Sequence, residues 1–457
     1  MDRNVIRRLL HGWSANLYGQ AVVAVIQLAG VPILLHFWRA QLYGEWLIIF
    51  ALPFYLSMTD LGFSQSAAND MTARVAREDS TGALTVFHSL CALVFPLAAV
   101  GVLLTGVAAF LLPLGRWFHF SILATADVRW ILWLLAAEAL VKLTEGISHA
   151  GFRATGDYAL HVTIYYSTLL LQNASVWVVA LAGFGPLAAA VSFFSIRAVV
   201  TPSVAILLTR RHPWLRFGFT HAARSHLRSL IHPALANVGV PLAQALNIQG
   251  MVLLVGSVIG PVAVVTFSTL RTLTRFTFQL VSTVSQAAEP ELAAAFGLGN
   301  RQLLRTLYEH GIRAAFWLAL CMATFFAFTG SWVLQFWTRG RVTMDHSLFY
   351  WLLASSVASV LWYGSLIVLK AANRHLRAAL VYAGAAGGAL LLAATLLGQS
   401  HNLASVGMSL LFMDVVLVTY TVRAASNLCD SSPGGNFFAA LNPVPLIKLI
   451  TQKRYAL

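Results

Sequence analysis

Stretches of about twenty apolar residues recur along this chain, each long enough as a helix to cross the roughly 30 Å hydrocarbon core of a bilayer. They lie at 13–35, 43–66, 86–112, 128–149, 161–183, 187–209, 233–256, 262–288, 308–331, 346–370, 378–398 and 403–423, joined by short linkers. In lipid such a segment satisfies its backbone only as a helix or inside a closed barrel. The segment length selects helices. The expectation is an all-α integral membrane protein with 12 transmembrane helices. Composition agrees, with 58% hydrophobic and 10% charged residues, against about 25% charged in soluble domains. No polar stretch is long enough for a separate soluble domain.

The charges carry the topology. Most of the 30 Lys and Arg fall on the side that holds both termini, while the other side takes only Arg39, Arg116, Arg129, Arg339 and Arg341. Excess cations mark the cytoplasmic face. Both termini are therefore expected inside, in a multi-pass membrane protein. The net charge of +14 is accounted for by this bias and by attraction to anionic membrane lipids. It lacks the basic readout face of a nucleic-acid binder. The first residues run straight into a long apolar segment without a small-residue cleavage site, which reads as a first membrane helix, not a cleaved signal. Cys91, Cys321 and Cys429 fit neither a metal spacing nor a disulfide framework, and no motif calls for a cofactor.

The chain reads as a duplication. Ala15-Asn16 opens the first span and Ala236-Asn237 the seventh. Asn69 follows the second span and Glu289 the eighth. Arg153-Ala-Thr-Gly156 follows the fourth and Lys370-Ala-Ala-Asn373 the tenth. The near-constant offset predicts two six-helix lobes related by an axis along the membrane normal. The lobes are 1–210 and 233–424, with a basic cytoplasmic loop at 211–232 and a cytoplasmic or interfacial tail at 425–457. Such a protein is expected to hold its substrate between the lobes and to rock them. The loop histidines His212, His221, His226 and His232 match no metal signature.

Polar residues inside the spans are the candidate sites. Span 262–288 carries Arg271 and Arg275, four apart and so on one helix face, among Thr266, Ser268, Thr269, Thr272 and Thr274. Each charge would cost roughly 3 kcal/mol at the centre of a lipid-exposed helix. The face turns to water or an anion, or it bonds neighbouring helices. Asn16, Gln20 and Gln27 on the first span, with Asn237, Gln244 and Asn247 on the seventh, fit either a shared hydrated cavity or interhelical hydrogen bonds. Glu138, Lys142 and Glu145 share a face of the fourth span, and Arg197 of the sixth is a candidate fourth member. They form a buried charge network or an ion-coupling site. Asp60 and Asp414 are intramembrane carboxylates, each protonated or paired with a cation from elsewhere, and both are candidates for ion coupling.

No Asp-x-Asp, Gly-x-Ser-x-Gly, Walker or His-Glu-x-x-His motif is present, and the outer loops are short, so an enzyme is not expected. The segments Gly12-Trp-Ser-Ala-Asn16, Val31-Pro32, Leu42-Tyr-Gly-Glu-Trp46 and Thr59-Asp-Leu-Gly-Phe63 resemble the start of the Wzx-type oligosaccharide-lipid flippases. So do Arg153-Ala-Thr-Gly-Asp157 and Lys370-Ala-Ala-Asn-Arg374. That family belongs to the multidrug/oligosaccharidyl-lipid/polysaccharide exporter (MOP) superfamily. The resemblance implies a MATE-like two-lobed fold with helices one, two, seven and eight around a central cavity. It implies a polyprenyl-pyrophosphate-linked oligosaccharide as substrate, moved from the inner to the outer leaflet of the cytoplasmic (inner) membrane for O-antigen or exopolysaccharide export. Glycan polymerase or export proteins would be partners. Arg271 and Arg275 would hold the pyrophosphate, since arginine pairs with phosphate oxygens through two parallel hydrogen bonds. The alternative is a multidrug or cation antiporter of the same superfamily.

Overall fold

The computed structural model describes residues 3–58, 62–226 and 239–432, together with 434, 435, 441, 442 and 444. Asp60, Asn237 and nearly all of the tail from 433 onward lie outside the described residues. The described chain is helical: α1 (Arg3–Ala51), α2 (Phe63–Val75), α3 (Ser80–Leu111), the short α4 (Leu114–Trp117), α5 (Thr125–Ala154), α6 (Tyr158–Leu181) and α7 (Pro186–Arg211). These are followed by α8 (Gly239–Val258), α9 (Pro261–Ala287), α10 (Glu289–Gly297), α11 (Arg301–Thr338), α12 (His346–Ala371), α13 (Leu376–Ser400) and α14 (Ala404–Leu428).

Among the described residues, nine helical runs are long and apolar enough to cross a membrane. Two further expected spans form α5 and α9, whose charged and hydroxyl side chains keep them out of that count. The first two expected spans join in α1, which breaks at Arg39 where the backbone turns to φ 57°, ψ 175°. The second span also departs from the single helix expected over 43–66. Helix stops at Ala51, a 3-10 turn covers Pro53–Met58, and α2 starts after Gly62 at φ 74°. The proline cannot donate to the ladder, and glycine accepts the left-handed conformation without a Cβ clash.

Large apolar side chains stand outward on many helices. Phe328 on α11 is 85% exposed and Leu111 on α3 is 75% exposed. Such surfaces belong in lipid, where they cost nothing.

The chain forms two compact units, Met1–Pro241 with Gly260–Val262, and Leu242–Ile259 with Ala263–Leu457. In the first, α5 is the central helix and packs on α2, α3, α6 and α7, while α1 lies along α6. Its core gathers Phe87, Leu90, Ile147, Phe152 and Leu208. Glu45, fully buried, accepts the backbone N–H groups of Ser121, Ile122 and Leu123 at 2.8, 3.0 and 2.9 Å. One carboxylate thus satisfies the turn that enters α5. At the other end of the unit, Asp79 accepts from the Gly82 N–H at 2.8 Å and caps α3. That bond, helped by Arg74, holds the exposed Asp79 carboxyl below the usual carboxylate range.

In the second unit, α12 is the most enclosed helix and packs on α10, α11 and α14, with α13 against α14. Its core includes Leu292, Tyr308, Ile312, Ile367 and Val422. α8 is irregular, with a π turn at Leu246–Gly250 that faces α13.

Candidate functional site

The π turn of α8 positions the site of the second unit. A π turn carries one extra residue, so its carbonyls are opened from the regular ladder and become available to outside donors. Arg271 of α9 takes that opportunity. Its Nη1 donates to the Asn247 carbonyl at 2.8 Å and its Nη2 to Asn247 Oδ1 at 2.6 Å. The guanidinium also lies 5.5 Å from the Phe267 ring centroid. Arg271 is therefore buried and held.

Arg275, one turn further along α9, is different. It lines the same cavity, of about 150 Å3, and makes no hydrogen bond or ion pair among the described residues. A guanidinium offers five donors. Those of Arg275 lie at the cavity wall and meet no partner among the described residues.

The cavity also holds Asp414 of α14. Its Oδ1 accepts from Ser359 Oγ at 2.9 Å and Trp362 Nε1 at 2.8 Å, and its Oδ2 accepts from Ser355 Oγ at 2.5 Å. The three donors come from one face of α12 at spacings of four and three. Asp414, alone within its own span, is thus the acceptor of a neighbouring helix and shares a cavity with two arginines. With Asp414 ionised, the two guanidinium groups leave one excess positive charge. Trp362, Tyr363, Tyr382 and Phe278 supply aromatic wall, and Gln244 and Asn247 supply amides. Asn247 Nδ2 also lies 3.4 Å from the Tyr382 hydroxyl.

The first unit carries a separate polar cavity of about 280 Å3. Asn16, Lys142 and Glu145 line it with His149, His161 and Tyr158, Tyr165 and Tyr166. Behind its wall is a buried charge network. Arg197 Nε donates to Glu138 Oε1 at 3.0 Å, Nη1 to Glu145 Oε2 at 2.5 Å and Nη2 to Gln172 Oε1 at 2.8 Å. Gln172 Nε2 returns to Glu138 Oε1 at 3.0 Å. Lys142 turns away from this network, with its ammonium 5.4 Å from the Tyr165 ring centroid.

The structure therefore gathers Arg271, Arg275, Gln244, Asn247 and Asp414 at one cavity, and Asn16, Lys142 and Glu145 at another. Glu138 and Arg197 are buried behind the second. Gln20 and Gln27 of α1 line neither cavity, and Asn16 bonds the Gly12 carbonyl of its own helix at 3.0 Å. Sequence reasoning missed Ser355, Ser359 and Trp362, whose helical spacing was legible, and Gln172, His149 and His161, which carried no such signal.

Neither a protein-family model nor a curated protein sequence matches this chain. Solved structures do match. A multidrug resistance MATE family transporter of the MOP superfamily, in its inward-facing conformation, superposes with a TM-score of 0.71 at 16% identity, over 91% of this chain and 96% of that one. The lipid II flippase MurJ, in an inward closed conformation, gives 0.68 at 12% identity, over 97% and 93%. The chain thus has the all-α, multi-pass membrane fold of MOP superfamily transporters.

Proposed function

We propose that this protein flips a polyprenyl-pyrophosphate-linked oligosaccharide from the inner to the outer leaflet of the cytoplasmic membrane, by alternating access, for export of an O-antigen or exopolysaccharide type of glycan. The observation that carries the reading is Arg275, a guanidinium without a partner among the described residues in a cavity with a net positive charge. A pyrophosphate supplies the anionic oxygens that Arg275 lacks, in a geometry that guanidinium matches. Arg271 stands beside it with its orientation fixed by Asn247. The amides and aromatic rings suit sugar hydroxyls and ring faces, and the polyprenyl tail stays in lipid. The sharing of a fold with a lipid II flippase is in keeping with a lipid-linked substrate. In this reading both termini are cytoplasmic, 1–210 and 233–424 act as lobes, and Asn16, Gln20, Gln27 and Asn237 complete the substrate path.

Asp414 gives the cavity a means of coupling. A proton on its carboxyl removes the negative charge and raises the net charge facing the pyrophosphate, so proton and anion binding reinforce one another. Asp60 remains a second candidate for coupling.

The second reading is a multidrug or cation antiporter, favoured by the aromatic wall and Asp414 together. The two arginines oppose it, because an organic cation would meet like charge. Deletion of the gene separates the readings. Accumulation of lipid-linked oligosaccharide on the cytoplasmic face supports the flippase. Normal glycan export combined with new drug sensitivity would overturn it.

A further inference from the structure

The first unit contains a chain of titratable groups that the proposed substrate site does not use. His149 of α5 and His161 of α6 face each other, Nδ1 to Nδ1, at 3.2 Å. His161 Nε2 then lies 3.6 Å from Glu145 Oε1, and neither of these two buried atoms has a hydrogen-bond partner among the described residues. Glu145 Oε2 meets Arg197 Nη1 at 2.5 Å. Along α5 the order from the helix end inward is His149, Glu145, Lys142, Glu138.

We propose that the first unit takes up a proton from its cavity at His149 and passes it through His161 to the Glu145 carboxylate. The significance for transport rests on the flippase reading above, whereas the site itself stands on this geometry.

Tautomers set the direction. Two ring nitrogens at hydrogen-bond distance share one proton. If His161 donated it, a bare Nε2 lone pair would face a carboxylate lone pair. The favoured arrangement has His149 donating Nδ1–H, His161 accepting at Nδ1, and the His161 Nε2–H aimed at Glu145. His149 Nε2 is then the free base of a residue on the cavity wall. A hydronium ion in the cavity protonates that nitrogen. The Nδ1–H of His149 moves to Nδ1 of His161, and the Nε2–H of His161 moves to Oε1 of Glu145 as the gap closes to hydrogen-bond length. Both imidazoles end neutral in the opposite tautomers, and Glu145 ends as a carboxylic acid.

The surroundings make this proton consequential. From α5 come Glu138, Lys142 and Arg153, from α6 Tyr158, Tyr165 and Tyr166, from α7 Arg197, from α1 the uncharged Asn16, and from α2 Ser64 beside Gly146. Before uptake, Glu138 and Glu145 balance Arg197 and Lys142. Afterwards one positive charge is in excess, and Arg197 keeps only Glu138 as a charged partner. A buried network changed in this way favours a different packing of α5 on α7.

The test is an infrared pH-jump on the full chain in lipid nanodiscs, from about pH 8 to about pH 5, which raises the proton supply on the order of 1000-fold. A protonated-carboxyl band is expected to rise after the jump. The component lost in Glu145→Gln, which sets it apart from Asp414 and the surface carboxyls, should rise on the order of 100-fold more slowly in His161→Phe, since a positioned acid–base group is worth that much in proton transfer. His149→Gln, at the cavity wall, gives the same slowing and serves where His161→Phe fails to fold. No component of the band that depends on Glu145, or an unchanged rise of that component without the histidines, would overturn the proposal. No lipid-linked substrate enters the measurement, so a negative result removes the proton site and leaves the flippase reading to the export assay.

Discussion

Arg271 holds Asn247 by two hydrogen bonds, one to its backbone carbonyl and one to its side-chain oxygen, whereas Arg275 beside it holds nothing among the described residues. The two arginines, equivalent in the sequence, therefore have different tasks. Arg271 ties α9 to the π turn of α8 and shapes the cavity. Arg275 lines the cavity without such a tie, which is the basis of its proposed role.

Their substitutions should differ accordingly. Arg275→Gln is expected to reduce glycan export while leaving protein level and melting temperature close to wild type. Arg271→Leu strips a buried carbonyl and amide oxygen of a charged donor and should cost about 2 kcal/mol of stability as well as export. Thermal unfolding in detergent, read beside an export assay, distinguishes them. Unimpaired export with Arg275→Gln at normal protein level would remove Arg275 from the mechanism.

Asp414 accepts from Ser355, Ser359 and Trp362. Asp414→Asn can keep its oxygen for Ser359 and Trp362, which share Oδ1, and turn its NH2 toward Ser355 alone. The Ser355 hydroxyl can rotate to accept, so the expected cost is no more than about 1 kcal/mol. Transport in reconstituted vesicles should continue but lose its pH dependence. A variant whose pH profile matches wild type would exclude Asp414 from coupling.

Arg197 is 1% exposed and bridges two buried carboxylates. Arg197→Met should leave both without a hydrogen-bonded ion partner and destabilise the first unit by roughly 3–5 kcal/mol. Adding Glu138→Gln and Glu145→Gln to the same chain should recover much of that loss, because neutral amides need no ion. Expression level and thermal unfolding of the single and triple variants check this. A single variant as stable as the wild type would mean that the network is not structural.

Glu45→Ala removes the acceptor of three backbone N–H groups at the entry to α5. Charge-assisted bonds of this kind are worth about 1.5–3 kcal/mol when left unmade in a buried site. The melting temperature should fall, and amide hydrogen exchange over residues 121–123 should accelerate. Unchanged exchange there would show that the turn holds without Glu45.

Much of the fold was legible because a bilayer narrows the choices. A twenty-residue apolar run has one way to satisfy its backbone, so α3, α6, α7, α12, α13 and α14 follow from the sequence to within about two turns at each end. The second span was not, since an apolar stretch containing Pro53 and Gly62 reads as continuous until backbone conformation is known. At the candidate site, Arg271 and Arg275 were legible as a costly pair on one helix face. Asp414 was visible as a carboxylate but not as part of the arginine cavity, and Glu45 gave no hint that it anchors a turn some 75 residues away.

The amino-acid sequence by itself determined that this is an all-α membrane chain, because hydropathy and backbone satisfaction in lipid are local properties of each segment. It also determined which ionisable groups sit inside the spans. Which of those groups meet was decided only by tertiary structure. Hydrogen bonds and ion pairs form between helices far apart in the chain, and their geometry depends on packing, on the π turn at Leu246–Gly250 and on the facing of α5, α6 and α7. Spacing along one helix can place Glu138, Lys142 and Glu145 on a common face. It cannot show that Arg197 takes the two carboxylates and leaves the lysine to the cavity.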